Sequence, residues 1–266
     1  MNTVIAICNQ KGGVAKTATA HQLAAGLSRL GKKVLAIDLD PQSNFTICAG
    51  LNIRQLEAKG CTIYDVLSGK RTIEEVVCEV KDKEQFSFMM LGGTMQLARA
   101  DAEFTGVSAP FLLREALEEY KTYYDYDFII IDTPPTLGTL PINALTAADF
   151  VLVPYKAEAL TVVGMYQLST LLTEVKKRTN KSLRILGILL TMYDTRTKNA
   201  SKAALSDAEQ VAEILKTKVF ETKIRATSAM KVLPASCTDI FNAAPTSSAA
   251  MDYEAFVNEL LEEVAK

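Results

Sequence analysis

Short apolar runs bounded by turn residues alternate along the chain with longer segments of helical period. The runs Val4–Cys8, Val34–Asp38, Phe86–Leu91, Phe128–Asp132, Phe150–Val153, Ile185–Leu190 and Lys218–Phe220 predict strands. The segments Thr17–Leu30, Pro110–Tyr120, Leu140–Ala147, Thr161–Arg178, Ala200–Leu215 and Ser247–Ala265 predict helices, with Thr139 and Ser247 as N-caps. Leu51–Glu84 reads as short helices inserted between two strands. Apolar strands separated by helices predict an α/β fold, a doubly wound and mostly parallel sheet of about seven strands with helices on both faces. No repeat or Pro/Gly/Ser linker divides the chain, so residues 1–266 are expected to form a single domain. Ligands bind such sheets at the carboxyl ends of the strands. The polar clusters at Asn9, Asp38 to Asn44, Asp132 to Pro135 and Thr191 to Thr197 all follow predicted strands there.

A hydrophobic content of 48% in 266 residues is enough for a large core. No apolar stretch reaches membrane-spanning length, and the first apolar run meets Asn9, Gln10 and Lys11 too soon for a signal peptide. Cys8, Cys48, Cys61, Cys78 and Cys237 are scattered without a CxxC pair and read as cytosolic thiols, while His21 has no partner motif and receives no chemistry. A net charge of −2 argues against a nucleic-acid binder until its distribution is considered. Residues 176–231 carry 13 Lys and Arg against 5 Asp and Glu, leaving 16 against 26 for the rest. Either a solvated helical surface or a footprint for DNA phosphates accounts for this basic region.

After the first predicted strand comes Asn9-Gln10-Lys11-Gly12-Gly13-Val14-Ala15-Lys16-Thr17, followed by a helix. A strand, small-residue loop and helix start cradle anions, because backbone N–H groups and the positive helix end converge on phosphate oxygens. Lys16 would supply charge to the β- and γ-phosphates and the Thr17 hydroxyl would ligate Mg²⁺. The general pattern GxxxxGK[ST] nevertheless fails, since Gln10 and Ala15 occupy both glycine positions. The apolar run Phe128–Asp132 ends in an acid suited to Mg²⁺, and Thr133-Pro134-Pro135 would stiffen the segment beyond it. Asp38 and Asp40, two residues apart, would face one side of an extended segment; an Asp-Pro turn ending a strand is the structural alternative.

The loop KGGxxKT, with its early Lys11, resembles the deviant Walker A of the ParA/MinD ATPases. The likeness to the ParA/Soj branch runs nearly end to end. It includes Asp38-Leu39-Asp40-Pro41-Gln42, Tyr126-Asp127-Phe128, Leu140–Leu145, Thr191-Met192-Tyr193-Asp194-Thr195-Arg196-Thr197, and Pro234 with Ala243–Tyr253. The resemblance implies that residues Lys11, Gly12, Gly13, Val14, Ala15, Lys16, Thr17 and Ala18 bind ATP, with Lys11 reaching a partner's phosphates across a homodimer. It implies that Asp40 positions the attacking water, that Thr17, Asp38 and Asp132 serve Mg²⁺, and that Met192 and Pro234 contact adenine. Arg196, Lys198, Lys202, Lys223, Arg225 and Lys231 become candidates for nonspecific double-stranded DNA contact. Ala15 stands where the family usually has glycine and Ala18 where it has a second threonine.

A partitioning ATPase is therefore expected, cytoplasmic, nucleoid-associated when ATP-bound, and slow until a ParB-like adaptor stimulates hydrolysis. With Met1 only a few residues before the first predicted strand, no N-terminal helix-turn-helix is expected. A MinD-like membrane positioner is the alternative, but the tail from Met251 to Lys266 has five acids against Lys266 and would be repelled by anionic lipid. A nucleotide-gated scaffold with very slow hydrolysis, arising from Ala15, is another alternative. A nitrogenase-like reductase is disfavoured by the scattered cysteines.

Overall fold

Successive side chains along a strand face opposite ways, and in the central strands both faces are apolar, so each of these strands feeds two cores. The computed structural model describes residues 2–81, 87–157, 162–194 and 198–266. Within them β1 (Thr3–Ile7), β2 (Val34–Asp38), β3 (Cys78–Lys81), β4 (Ser87–Leu91), β5 (Phe128–Asp132), β6 (Phe150–Tyr155) and β7 (Arg184–Leu190) form a seven-stranded sheet. The order is β3-β4-β2-β5-β1-β6-β7, parallel throughout except for the antiparallel β3–β4 pair.

Helix α1 (Lys16–Arg29) follows β1, and α2 (Asn44–Cys48), α3 (Ile53–Lys59), α4 (Ile63–Leu67) and α5 (Ile73–Val76) follow β2. Then come α6 (Ala100–Glu103), α7 (Leu112–Tyr120), α8 (Thr139–Ala147), α9 (Val162–Arg178) and α10 (Lys198–Leu215). The chain ends with α11 (Ala229–Ser236), α12 (Ile240–Ala243) and α13 (Ser248–Val264). Val4, Ala6, Leu35, Ile37, Ile129 and Ile131 pack with residues of α4, α5 and α7 to α10. Ile5, Ile7, Val34, Ala36, Phe128 and Ile130 pack on the opposite face with residues of α1, α2 and α11 to α13. The expected doubly wound sheet is present.

Three details depart from expectation. Lys218–Phe220 is not a ladder strand but one bridge, Ile188 to Val219, because Lys218 O and Phe220 N both bond to Ile188 before the chain departs. The seventh strand is instead β3, hidden in the segment read as helices. Its four residues alternate half-buried Cys78 and buried Val80 with exposed Glu79 and Lys81, too short a run to stand out. Thr139 is not the N-cap of α8. Gly138 holds that position, whereas Ser247 does cap α13, accepting a hydrogen bond from Ala250 N at 3.2 Å.

The two outer edges of the sheet differ: β3 carries charged side chains, and β7 is partly covered by the chain that follows it. On β3, Lys81 and Glu79 form an exposed ion pair at 3.2 Å. Along β7, Ile188 N donates to Lys218 O at 2.8 Å, Phe220 N to Ile188 O at 2.9 Å and Ile224 N to Leu190 O at 2.8 Å.

Candidate active site

Parallel register sets the site. Asp38 and Asp132, the last residues of adjacent β2 and β5, are directly paired, and β1 on the other side of β5 delivers the loop 8–15 to the same edge. The loop is strapped by buried side chains. Asn9 donates through Nδ2 to Pro154 O of β6 at 2.7 Å and accepts from Lys11 N at 2.9 Å. Thr191, just past β7, donates its hydroxyl to Val14 O and Tyr155 O, each at 3.1 Å. Asn9 and Thr191 belong to the polar clusters noted in the sequence, but their bracing of the loop depends on partners more than a hundred residues away.

The loop enters α1 through Ala15, whose φ of 65° and ψ of 31° are left-handed, with Thr19 N bonded to Ala15 O at 2.8 Å. An L-residue there costs about 1–2 kcal/mol, which glycine avoids at some expense in unfolded-state entropy. Ala15→Gly is therefore expected to raise the unfolding free energy by about 1 kcal/mol, measured by denaturant titration without nucleotide. A fall in stability would show that Ala15 carries no such strain. A Cβ placed on Gly12 or Gly13 would meet nothing within 4 Å, so the loop is open at these two glycines.

The charged groups converge beside that loop. Lys16 is buried and donates from Nζ to Lys11 O at 3.1 Å. Burial lowers its pKa, opposed by attraction to Asp132, Cys8 and Asp40. Thr17 donates its hydroxyl to Asp132 Oδ2 at 2.7 Å. Asp132 Oδ1 is fully buried and has no hydrogen-bond partner. Burial, together with the neighbouring Asp38 carboxylate, pushes the Asp132 pKa well above the usual carboxylate range. Asp38 is buried too, and burial raises its pKa to about 6. Its Oδ2 accepts from Thr46 N at 2.9 Å and Thr46 Oγ1 at 2.7 Å, and its Oδ1 from Asp40 N at 3.1 Å. Thus Asp38 secures α2 and the turn before it. Asp40 closes that turn, with Oδ1 accepting from Gln42 N at 2.9 Å, while remaining close enough to raise the pKa of Lys16. The Asp-Pro turn and the charge cluster coexist.

An orphaned buried carboxylate oxygen beside a threonine hydroxyl is a donor set for a hard divalent cation. Three acids against Lys16 leave a charge deficit that such a cation would offset. Mg²⁺ suits the set, since it is usually held by one or two protein oxygens plus substrate phosphates rather than a protein-only cage. Thr17 and Asp132 are the residues that would hold it.

The remaining candidates are more dispersed. Met192, at φ 51°, is exposed just beyond β7. Lys202 is exposed on α10, and Lys223 Nζ donates to Glu221 O at 2.7 Å. Arg225 turns to α13, where Nη2 reaches Asp252 Oδ1 at 2.7 Å and Nε reaches Oδ2 at 2.9 Å. Arg196 and the side chains of Lys198, Lys231 and Pro234 lie outside the described residues. Cys8 is buried, and its thiol is pushed up to about 11 by burial. His21 is buried beside Phe45 and Phe88, which lowers its pKa to about 4 and keeps it neutral.

A family profile described as an AAA domain matches residues 2–185. The chromosome-partitioning ATPase Soj of Thermus thermophilus is 40% identical over 260 residues, covering 98% of this chain and 96% of Soj. The sporulation initiation inhibitor protein Soj of Bacillus subtilis is 40% identical over 225 residues, 84% of each chain. Among solved structures, cobyrinic acid a,c-diamide synthase from Mycobacterium smegmatis, with bound ATP analogue and magnesium, matches with a TM-score of 0.83. It is 32% identical and covers 100% of this chain and 97% of that one. Matched along nearly its whole length, and with the two-lysine loop set against Asp132, the chain belongs to the ParA/Soj family of P-loop ATPases.

Proposed function

We propose that the protein is a ParA-like partitioning ATPase that hydrolyses ATP with Mg²⁺, dimerises when ATP-bound, holds DNA without sequence preference, and is stimulated by a ParB-like adaptor. The convergence of Lys16, Thr17, Asp40 and Asp132 on the loop at Gly12 and Gly13 carries this reading. Phosphoryl transfer needs placement and charge neutralisation more than covalent chemistry. Lys16 supplies positive charge, Thr17 and Asp132 hold the metal, which neutralises phosphate oxygens when bound, and Asp40 orients water. Lys11 reaches the partner's phosphates within the dimer.

The DNA arm rests on the basic region 176–231, where Lys176, Lys177, Arg178, Lys181, Lys202 and Lys216 are exposed. DNA retention measured with ATP and with ADP across a salt series tests it. Tight binding only with ATP and a steep linear fall of log affinity with log salt are expected. Equal affinity with both nucleotides would overturn it. Lys202→Ala should weaken binding to all sequences alike and lower the salt slope by about 1. Arg225→Ala should instead lower Tm by about 2–4 °C through loss of the Asp252 pair, as read by thermal melting.

A membrane role finds no comparable support. Among the described residues no helix is long and apolar enough to cross a membrane. The apolar side of α13, with Ala249, Tyr253, Phe256, Val257 and Leu260, is buried in the core, so it is not free to enter lipid.

A further inference from the structure

The loop joining β5 to α8, residues 133–138, is fixed at both ends. At its start Thr133, fully buried, donates its hydroxyl to Ile7 O at 2.8 Å. At its end Thr139 donates its backbone N–H to Asp101 Oδ1 at 2.7 Å. Helix α8 has glycine at its N-cap, which offers no side chain to its N-terminal N–H groups. A carboxylate from α6 does so instead, and complements the positive end of α8. The fit demands glycine at 138, since a Cβ there would lie 2.5 Å from both Asp101 carboxylate oxygens. Asn143 fastens the next turn of α8 to the same stretch of chain. Its Nδ2 donates to Ala109 O at 2.7 Å and its Oδ1 accepts from Leu113 N at 3.1 Å. Between the two anchors Pro135 and Thr136 are exposed. A loop that begins at Asp132 thus has its far end located by Asp101.

We infer that Asp101 is a positioning residue for ATP hydrolysis. By holding the first turn of α8 it fixes where residues 133–138 run beside Asp132, and so how the loop meets the reacting phosphate. The inference rests on the ATPase reading of the site. It acts on the chemical step rather than on nucleotide binding, because the phosphate loop itself is braced by Asn9 and Thr191 and not by Asp101.

Steady-state phosphate release by the full chain with MgATP, alongside thermal melting, tests it. Asp101→Ala should lower kcat about tenfold with KM for MgATP held within about twofold. Thr139→Pro removes the same N–H without touching Asp101, at a first-turn position where proline suits a helix, and should lower kcat equally. The double variant should be no slower than either single one, as expected of two halves of one contact. Asp101→Asn keeps an acceptor oxygen and should recover most of the lost kcat. Unchanged kcat in Asp101→Ala or Thr139→Pro, or a kcat loss fully accounted for by a smaller folded fraction, would overturn the positioning role while leaving the ATPase reading intact. A wild type that releases no phosphate from MgATP would overturn both.

Discussion

Lys16→Ala is expected to lower kcat/KM for ATP by about a thousandfold and to abolish the rise in Tm that MgATP otherwise produces. The ammonium is buried in the phosphate loop and already desolvated, with Lys11 O as its hydrogen-bond acceptor and Asp132 and Asp40 as its charge partners. A cation placed there in advance stabilises developing negative charge without reorganising at the moment of reaction. The same burial lowers the Lys16 pKa, so its charge is held at a cost to the nucleotide-free protein. Turnover and melting curves with and without MgATP separate the two effects. A variant that kept the MgATP shift would show that phosphate is held elsewhere.

Asp40→Ala should reduce kcat about a hundredfold while KM for MgATP stays within about threefold, and sedimentation in ATP should show an accumulated dimer. Asp40 is nearly buried, at 8% exposure, on the turn following β2. One carboxylate oxygen accepts from Gln42 N, and the group lies close enough to Lys16 to act on its pKa. Its removal leaves Lys16, Thr17 and Asp132 in place, so binding should survive where water placement does not. Loss of ATP binding in step with kcat would assign Asp40 to the binding machinery instead.

The elements legible in the sequence are those whose physics is local. β5 could be read because all five residues are buried, as a central strand covered on both faces requires. Ser247 was legible because it caps its own helix. The phosphate loop could be found despite Gln10 and Ala15 because two lysines at fixed spacing remained. What stayed hidden depends on partners distant in sequence. Asp101 caps a helix that starts 38 residues later, and Arg225 pairs with Asp252 on α13, so neither contact leaves a spacing pattern. Asp38 shows the same limit. Its spacing from Asp40 suggested two carboxylates on one side of an extended segment, whereas in the structure Asp38 accepts from Thr46 through Oδ2 and from the Asp40 N–H through Oδ1.

The two borders of the sheet constrain how copies of this chain can meet. At one border a four-residue strand presents Glu79 and Lys81, and at the other the run from Lys218 to Ile224 already uses the outward-facing hydrogen-bonding groups of β7. Charged or covered margins of this kind discourage a neighbouring chain from adding its own strand. Association by extending the sheet into a longer ribbon is thus disfavoured at both margins.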